Sequence, residues 1–440
     1  MGIFTLILNS IILFIVSNTY ILEKTYDLKL PLIFMILFVP IMCIFPSLLN
    51  KELQSKKLAI VRDGYRLLIM FLINLVLDLH LYLIIIIKYV IDVQALLINA
   101  ITLALILNIV FWCGIVRVYL FSKQLGVRYR IGGLILSLIP VARIIMLLII
   151  IKICMDEVKF ENEKIILNKS RENKEICKTK YPILLVHGIF FRDFDKVNYW
   201  GRIPEELVKN GATIYYGNHS SSLAVKDSAE ELAKRIKEIV KETNCGKVNV
   251  IAHSKGGLDT RYAISNLGMD KYIASLTMIN TPNHGCLFAD YLMTKAPKVL
   301  KKQVSNSYNF ALKKLGDAEP DFIAGVTDLT HPKTEELNKE MKDSKNVYYQ
   351  AFGSVLKHPI SGGFPFNLTN AYVKQFDGKN DGLVGIESFP VDKDFTLIET
   401  PYRRGISHGD VVDINRENIK GFDVREFYVK IVSELKNKGY

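Results

Sequence analysis

Ser254 stands in the stretch KVNVIAHSKGGLDTRY, Lys247 to Tyr262, where residue types and spacing suit nucleophilic chemistry. Val248, Val250 and Ile251 form a short β-branched run of the kind found in buried parallel strands, and Gly256-Gly257 opens a helix reaching about Leu267. A serine at the turn between them, with small neighbours at Ala252 and Gly256, can adopt the strained strand-to-helix conformation that exposes its hydroxyl. Ala252 stands where the G-x-S-x-G pattern has its first glycine. Short Gly/Ser turns are common, so the reading needs partners elsewhere in the chain.

A serine nucleophile requires a base for its proton, an acid to orient that base and donors for the oxyanion. With the order serine, acid, base, His284, His331, His358 and His408 are all open as the base. His408 lies in Gly405-Ile-Ser-His-Gly-Asp410, a turn-forming segment late enough in the chain for a loop to return over a sheet. Asp381, the candidate acid, lies in Lys379-Asn-Asp-Gly-Leu-Val-Gly385, a tight turn leading into an apolar step. Lone histidines and Asn-Asp-Gly turns are more often structural, and spacing leaves these alternatives open. The oxyanion donors would be the backbone N–H groups of Lys255, just after the nucleophile, and Ile189, just after His187-Gly188. His253 points the other way along the strand and reads as a supporting residue.

Positioning these groups falls to the charged part of the chain, from Met155 onward. Tyr181-Pro-Ile-Leu-Leu-Val-His-Gly188 reads as a strand ending in a glycine turn, followed by a helix over 201–209, a strand over 212–216 and a helix over 227–243. Ser228-x-x-Glu231 has the form of a capping box for that last helix, with Ala229, Leu232, Ala233, Ile236, Ile239 and Val240 on one face. The nucleophile strand and apolar runs at 273–280 and 347–352 follow. Strands alternating with helices predict a mostly parallel, doubly wound α/β sheet, with its chemistry at the carboxyl ends of the strands.

The remainder is of another kind. The chain has 440 residues, half of them hydrophobic, a mean hydropathy of +0.21 and a formal charge of +12. That combination predicts two unlike parts, an all-α transmembrane bundle over 1–154 and a soluble domain over 181–440 joined by a Glu/Lys/Asn-rich linker or juxtamembrane helix over 155–180. Five apolar runs, near 3–22, 30–49, 67–87, 95–119 and 132–153, approach the roughly 20 residues that cross about 30 Å of hydrocarbon. The first lacks a basic leading region and a small-residue cleavage site and reads as a retained span. Basic residues cluster between runs two and three (Lys51, Lys56, Lys57, Arg62, Arg66) and between runs four and five (Lys123, Arg128, Arg130). That bias places the N-terminus in the cytoplasm and the soluble domain outside the cell membrane. Asp78, His80 and Arg143 are costly in lipid, and an Asp78–Arg143 pair would hold the bundle together. The lysine excess is dispersed, without an Arg-rich or aromatic-basic block, which argues against nucleic acid as a partner. The six cysteines show neither a disulfide framework nor zinc spacing.

Several segments match, in order, the bacterial true lipases of the α/β-hydrolase superfamily, the Pseudomonas and Burkholderia type. They are Tyr181–Gly188, Tyr215-Tyr-Gly-Asn218, Ala252-His-Ser-Lys-Gly-Gly257, Ile273–Gly285 with Ala289-Asp290, and Asn380-Asp-Gly-Leu-Val-Gly385. The soluble part thus resembles that family from about residue 181 to 440. The resemblance implies an α/β-hydrolase with Ser254 as nucleophile, Asp381 as acid, His408 as base and the Ile189 and Lys255 amides as oxyanion hole. It also implies that Asp410, two residues after His408, binds calcium, although the partner carboxylate expected before Asp381 has no counterpart near Lys357–Pro359. The segment 286–330, long for a connection and mixing Leu287, Phe288, Tyr291, Leu292, Met293, Val299, Leu300, Phe310 and Leu312 with lysines, would be a lid over a lipid cleft. Its alternative is a structural helical pair. The expected function is a membrane-anchored serine carboxylester hydrolase acting on lipids, with no required cofactor. Phospholipase, lysophospholipase or acyltransferase chemistry on bilayer lipids, and a non-catalytic membrane protein with a hydrolase-like binding module, are the alternatives.

Overall fold

The computed structural model describes residues 2–28, 32–46, 53–89, 92–189, 198–220, 222–314, 320–358, 361–363, 366–391 and 394–440. They form two compact units, Met1–Ser170 and Arg171–Tyr440.

The regular elements among the described residues of the first unit are all helices: α1 (Gly2–Ser17), α2 (Thr19–Tyr26), α3 (Leu32–Ile44), α4 (Lys56–Lys88), α5 (Val93–Phe121), α6 (Gly126–Leu136) and α7 (Pro140–Ser170). Among the described residues two helices, α4 and α5, are long and apolar enough to cross a membrane. They approach closely because Gly64 and Gly114 face one another's helices: a Cβ on Gly64 would lie 2.8 Å from Val118 Cγ1, and one on Gly114 2.8 Å from Leu68 Cδ2. The first expected span is instead two helices meeting at Asn18 with a bend of 71°, which pass the same test only when taken together. The second falls on α3, whose 13 residues rise about 20 Å, and residues 29–31 and 47–52 beside it lie outside the described residues. The fifth straddles the break between α6 and α7, and the apolar start of α7 is punctuated by Arg143, Lys152, Asp156 and Glu157.

The Asp78–Arg143 pair does not form. Asp78 is buried and accepts from Asn18 Nδ2 at 2.6 Å, while Arg143, exposed near the start of α7, lies over the Phe111 ring at 5.2 Å. The register of α4 turns Asp78 inward, and His80, two residues on, faces outward.

The second unit is a six-stranded, wholly parallel sheet of order β2-β1-β3-β4-β5-β6. Its chain order is β1 (Ile183–Val186), α8 (Ile203–Lys209), β2 (Ile214–Tyr216), α9 (Val225–Thr243), β3 (Val248–His253), α10 (Lys255–Asn266) and β4 (Ile273–Ile279). Then follow α11 (Leu287–Thr294), α12 (Lys298–Lys314), α13 (Phe322–Thr327), α14 (His331–Glu340), β5 (Tyr348–Ser354), α15 (Phe366–Asp377), β6 (Phe395–Ile398) and α16 (Val424–Asn437). Side chains alternate across a strand, so β1 feeds both cores: Ile183 and Leu185 pack with Trp200, Ile203 and Leu207 of the α8 region and with Tyr428, Ile431 and Leu435 of α16. Leu184 and Val186 pack on the opposite face with Leu232 and Ile236 of α9 and Ala263 and Ile264 of α10. Helices on both faces make the sheet doubly wound, as the alternation of runs predicts.

The stretch 155–180, expected as a solvated linker or juxtamembrane helix, is helical as far as Ser170 and mostly exposed beyond it, but Cys177 is buried in the α8/α16 core and donates its N–H to Asn210 O at 2.8 Å. Ser228 and Glu231 do not form the expected capping box. The helix begins three residues earlier, where Asp328 Oδ2 accepts the Val225 N–H at 2.6 Å, and Ser228 lies inside it.

Candidate active site

The strand-to-helix turn after β3 holds Ser254 at φ 54°, ψ −131°, a conformation that costs a non-glycine residue free energy and that the surrounding packing must enforce. That packing is close. A Cβ on Gly188 would fall 2.8 Å from Ser254 Cβ, and one on Gly256 2.5 Å from His187 O, so the β1 loop and the elbow fit only with glycine at both positions.

Of the four candidate bases, one reaches the serine. His408 Nε2 lies 3.1 Å from Ser254 Oγ, within the distance over which a proton can pass. Its Nδ1 lies 2.6 Å from Asp381 Oδ2. His284 is engaged with Pro390 O, His358 with Arg403, and the His331 backbone N–H with Asp290. Asp381 is wholly buried, and its charge is met on every side: Oδ2 also accepts from Asn280 Nδ2 at 2.6 Å, while Oδ1 accepts the N–H groups of Leu383 and Val384 at 2.9 and 2.8 Å. A carboxylate so held stays a hydrogen-bond acceptor and fixes the imidazole with Nδ1 protonated and Nε2 free to accept from the serine. The two loops are also tied directly, His408 N–H donating to Asp381 O at 2.8 Å.

His253 is the supporting residue its place on β3 predicts. Its ring centroid is 4.6 Å from that of His408, and burial, reinforced by the charge of His408, pushes its imidazole well below the ordinary histidine value. A neutral neighbour leaves His408 free to become an imidazolium without like-charge repulsion. Tyr199 Oη sits 2.5 Å from His253 Nδ1 and accepts the Gly188 N–H at 3.2 Å, so it fixes the loop that carries Ile189.

Lys255 opens α10, and its N–H, having no carbonyl one turn back, points out of the helix end beside Ser254. The side chain was invisible to sequence reasoning. It is completely buried, with Nζ 2.7 Å from Asp259 Oδ1 and 2.9 Å from Ser228 Oγ. Asp259 Oδ2 in turn lies 3.3 Å from His219 Nε2, and the His219 ring stacks on His187 at 4.4 Å. A buried series of contacts, an ion pair followed by two histidine rings, thus runs from the residue after Ser254 to the loop bearing Gly188 and Ile189. Asn280, Tyr199 and Asp259 are the positioning residues that sequence reasoning did not assign; Asn280 falls within the matched segment Ile273–Gly285.

Asp410 does not present a calcium site. Oδ2 accepts the Ser407 N–H at 2.8 Å and Oδ1 accepts from Arg404 Nη2 at 3.1 Å, so a guanidinium occupies the cationic place and Glu417 holds the same nitrogen at 2.7 Å. Both carboxylate oxygens being committed to protein donors, these residues do not fit the ion. Among the described residues, no group of three or more His, Cys, Asp or Glu side chains could hold a metal ion.

The segment 286–330 contains three helices, α11, α12 and α13. Phe288, Leu292 and Met293 pack with Phe322, Val326 and Ile189, whereas Val299 and Phe310 are 69% and 63% exposed. The side chains of Leu300 and Leu312 lie outside the described residues. Tyr308 Oη of α12 donates to Ile189 O at 2.6 Å, bringing this segment onto the loop beside Ser254.

No family model matches the chain. It is 31% identical over 173 residues to a triacylglycerol lipase of Pseudarthrobacter phenanthrenivorans, covering 37% of this chain and 54% of that protein. Over the same number of residues it is 31% identical to a triacylglycerol lipase of Burkholderia plantarii, covering 48% of it. With triacylglycerol lipase 2 of Saccharomyces cerevisiae it shares 26% identity over 62% of this chain and 81% of that one. The chain spans about half the length of the first two relatives. The crystal structure of a Staphylococcus hyicus lipase covers 59% of this chain and 97% of its own, at 20% identity and a TM-score of 0.48.

Proposed function

We propose that this chain, whose second unit is an α/β-hydrolase similar to triacylglycerol lipases, is a membrane-anchored serine hydrolase that cleaves carboxylic ester bonds of lipids. The observation that carries the reading is the line of Ser254 Oγ, the His408 ring and Asp381 Oδ2, spaced at 3.1 and 2.6 Å. His408 Nε2 takes the hydroxyl proton as Ser254 Oγ attacks the acyl carbonyl. The developing oxyanion is met by the Lys255 and Ile189 N–H groups, and the proton passes from Nε2 to the departing alcohol, leaving an acyl-enzyme. Water, deprotonated by the same nitrogen, then releases the fatty acid. A lipid ester as substrate rests on the similarity to triacylglycerol lipases, and α11–α13, whose apolar side chains pack over the buried cluster of Ile189, Leu258, Phe322 and Val326, would serve as the lid. The experiment is capture of Ser254 by a fluorophosphonate probe together with turnover on triglycerides, phospholipids and short esters. No capture would remove the enzyme reading, and activity confined to phospholipids would move the substrate to bilayer lipids.

The reaction runs without calcium. Chelation by EDTA leaves turnover unchanged, whereas Arg404→Ala, which frees one oxygen of Asp410 beneath the His408 loop, lowers kcat by up to about 10²-fold through misplacement of the imidazole.

The basic-loop bias supports a cytoplasmic N-terminus, and we place the hydrolase outside on the reading that the bent pair α1–α2 crosses together with α4 and α5, an odd number of spans. Cys177, the natural labelling site by sequence, is fully buried. The exposed Asn437→Cys in a Cys245→Ser background serves instead. It reacts with an impermeant maleimide on intact cells, and reaction only after permeabilisation reverses the orientation.

A further inference from the structure

The helical unit carries a polar cluster that ester hydrolysis does not use. Asn18, Asn74, Asp78 and Asn99 are all buried among apolar helices, at the bend between α1 and α2 and on the facing sides of α4 and α5. Nearly all its hydrogen bonds can be traced. Asn18 Nδ2 donates to Asp78 Oδ1 at 2.6 Å and to Phe14 O at 3.0 Å, and its Oδ1 accepts from Asn99 Nδ2 at 3.0 Å. Asn99 Nδ2 also donates to Tyr82 Oη at 2.9 Å, and Asn99 Oδ1 accepts the Ile21 N–H at 3.3 Å. Asn74 Nδ2 donates to Met70 O at 2.8 Å and Ser10 O at 3.3 Å, which fixes which end of the amide is oxygen.

Two atoms remain. Among the described residues, Asn74 Oδ1 and Asp78 Oδ2 are buried acceptors without a hydrogen-bond partner. They belong to residues four apart, on one side of α4 a single turn from each other. The nearby amide protons are committed elsewhere, so no donor in the cluster can serve them both. A buried acceptor left unmet is costly, and an ionised carboxylate among apolar helices more so.

We propose that the helical unit binds a proton at Asp78, as the neutral carboxylic acid whose Oδ2–H is shared with the Asn74 carboxamide. One proton satisfies both orphaned oxygens, whereas a sodium ion would require several more oxygen ligands than these two. The elements around the site leave this proton unopposed: the α1–α2 bend meets Asp78 through Asn18, α5 joins through Asn99 bonded to Asn18 and Tyr82, and Tyr82 on α4 is the titratable side chain within the cluster. The site depends on the α1–α2 bend, because Asn18 at that bend supplies the donor for the other carboxylate oxygen.

The test uses the full chain in phosphatidylcholine vesicles. Dicyclohexylcarbodiimide, which reacts with protonated carboxyls in apolar surroundings, forms an adduct at Asp78 that peptide mass spectrometry locates. Labelling falls as pH is raised, is the same in sodium and potassium chloride, and is lost in Asp78→Asn. Independently, the infrared difference between wild type and Asp78→Asn contains the C=O stretch of a neutral carboxylic acid, and Asp78→Glu shifts that band where the asparagine variant does not fold. Absence of the band overturns the proposal whether or not the reagent reaches the site, and protection of Asp78 by sodium at constant pH replaces the proton with that ion. Ester turnover by the Asp78 variants does not bear on either outcome.

Discussion

Ser254→Ala lowers kcat for ester cleavage by about 10⁶-fold, and His408→Ala costs about as much, because nucleophile and base act as a unit whose removal is not additive. A residual acceleration of about 10³-fold or more over water remains in each, supplied by binding and the oxyanion donors. Asp381→Asn is milder, about 10⁴-fold, since the amide still fills the site but favours the wrong imidazole tautomer. The measurement is kcat and KM on a soluble short-chain ester for the single and double variants. A double variant Ser254→Ala/His408→Ala losing the product of the two single effects would show that the 3.1 Å contact is not a functional coupling.

The second large effect is on stability. Lys255→Met leaves Asp259 as a buried carboxylate without its ammonium partner, and breaking such a pair costs about 3–5 kcal/mol. Burial pushes the Asp259 carboxyl up to about 6, against the pull of Lys255 in the opposite direction. A folded value above the ordinary carboxylate value near 4 means that this group's contribution to stability is complete below about pH 4 and is lost as pH rises through about 6. Removing Lys255 takes away the downward pull, so the variant's loss is small in acid and grows towards neutrality. Chemical unfolding at pH 5 and pH 8, followed by the fluorescence of buried Trp200 in a Trp112→Phe background, measures the difference. Equal destabilisation at both values would mean that packing, not charge, is what Lys255 contributes. Replacing both partners together, Lys255→Met with Asp259→Leu, restores most of the loss, because the cost lies in the unpaired charge.

Much of the second unit was legible because its signals are local. The β-branched run before Ser254, the glycines after it and the apolar face of α9 each state their structure within a few residues, and the parallel sheet follows from their alternation. The grouping of Ser254, His408 and Asp381 was legible only through the matched segments: nothing local distinguishes His408 from His284, and the difference lies in which loop returns over the sheet after β6. Side chains whose roles depend on distant partners could not be read. Lys255 looks like a surface lysine until Asp259, one turn on, and Ser228, from another helix, are seen to enclose it. Ser228 and Glu231 carried the spacing of a cap, yet tertiary contact overrode it: Asp328 supplies the cap, while Glu231 binds the Ser220 N–H and hydroxyl instead. In the helical unit, hydropathy found apolar runs but not the interruptions at Asn18 and at Ser137–Ile139, because a single amide, or a break before Pro140 made largely of apolar residues, barely changes a window average.

The reactive line is drawn from separate parts of the sheet. Ser254 follows β3, Asn280 follows β4, Asp381 comes after β5 and α15, and His408 after β6. None of these neighbours approaches another until the four strands have docked in register, so a molecule that reacts with an active-site probe has completed its central architecture. Titrating probe capture against denaturant therefore counts assembled molecules one by one, and comparing that count with tryptophan fluorescence shows whether the outer strand detaches before the rest.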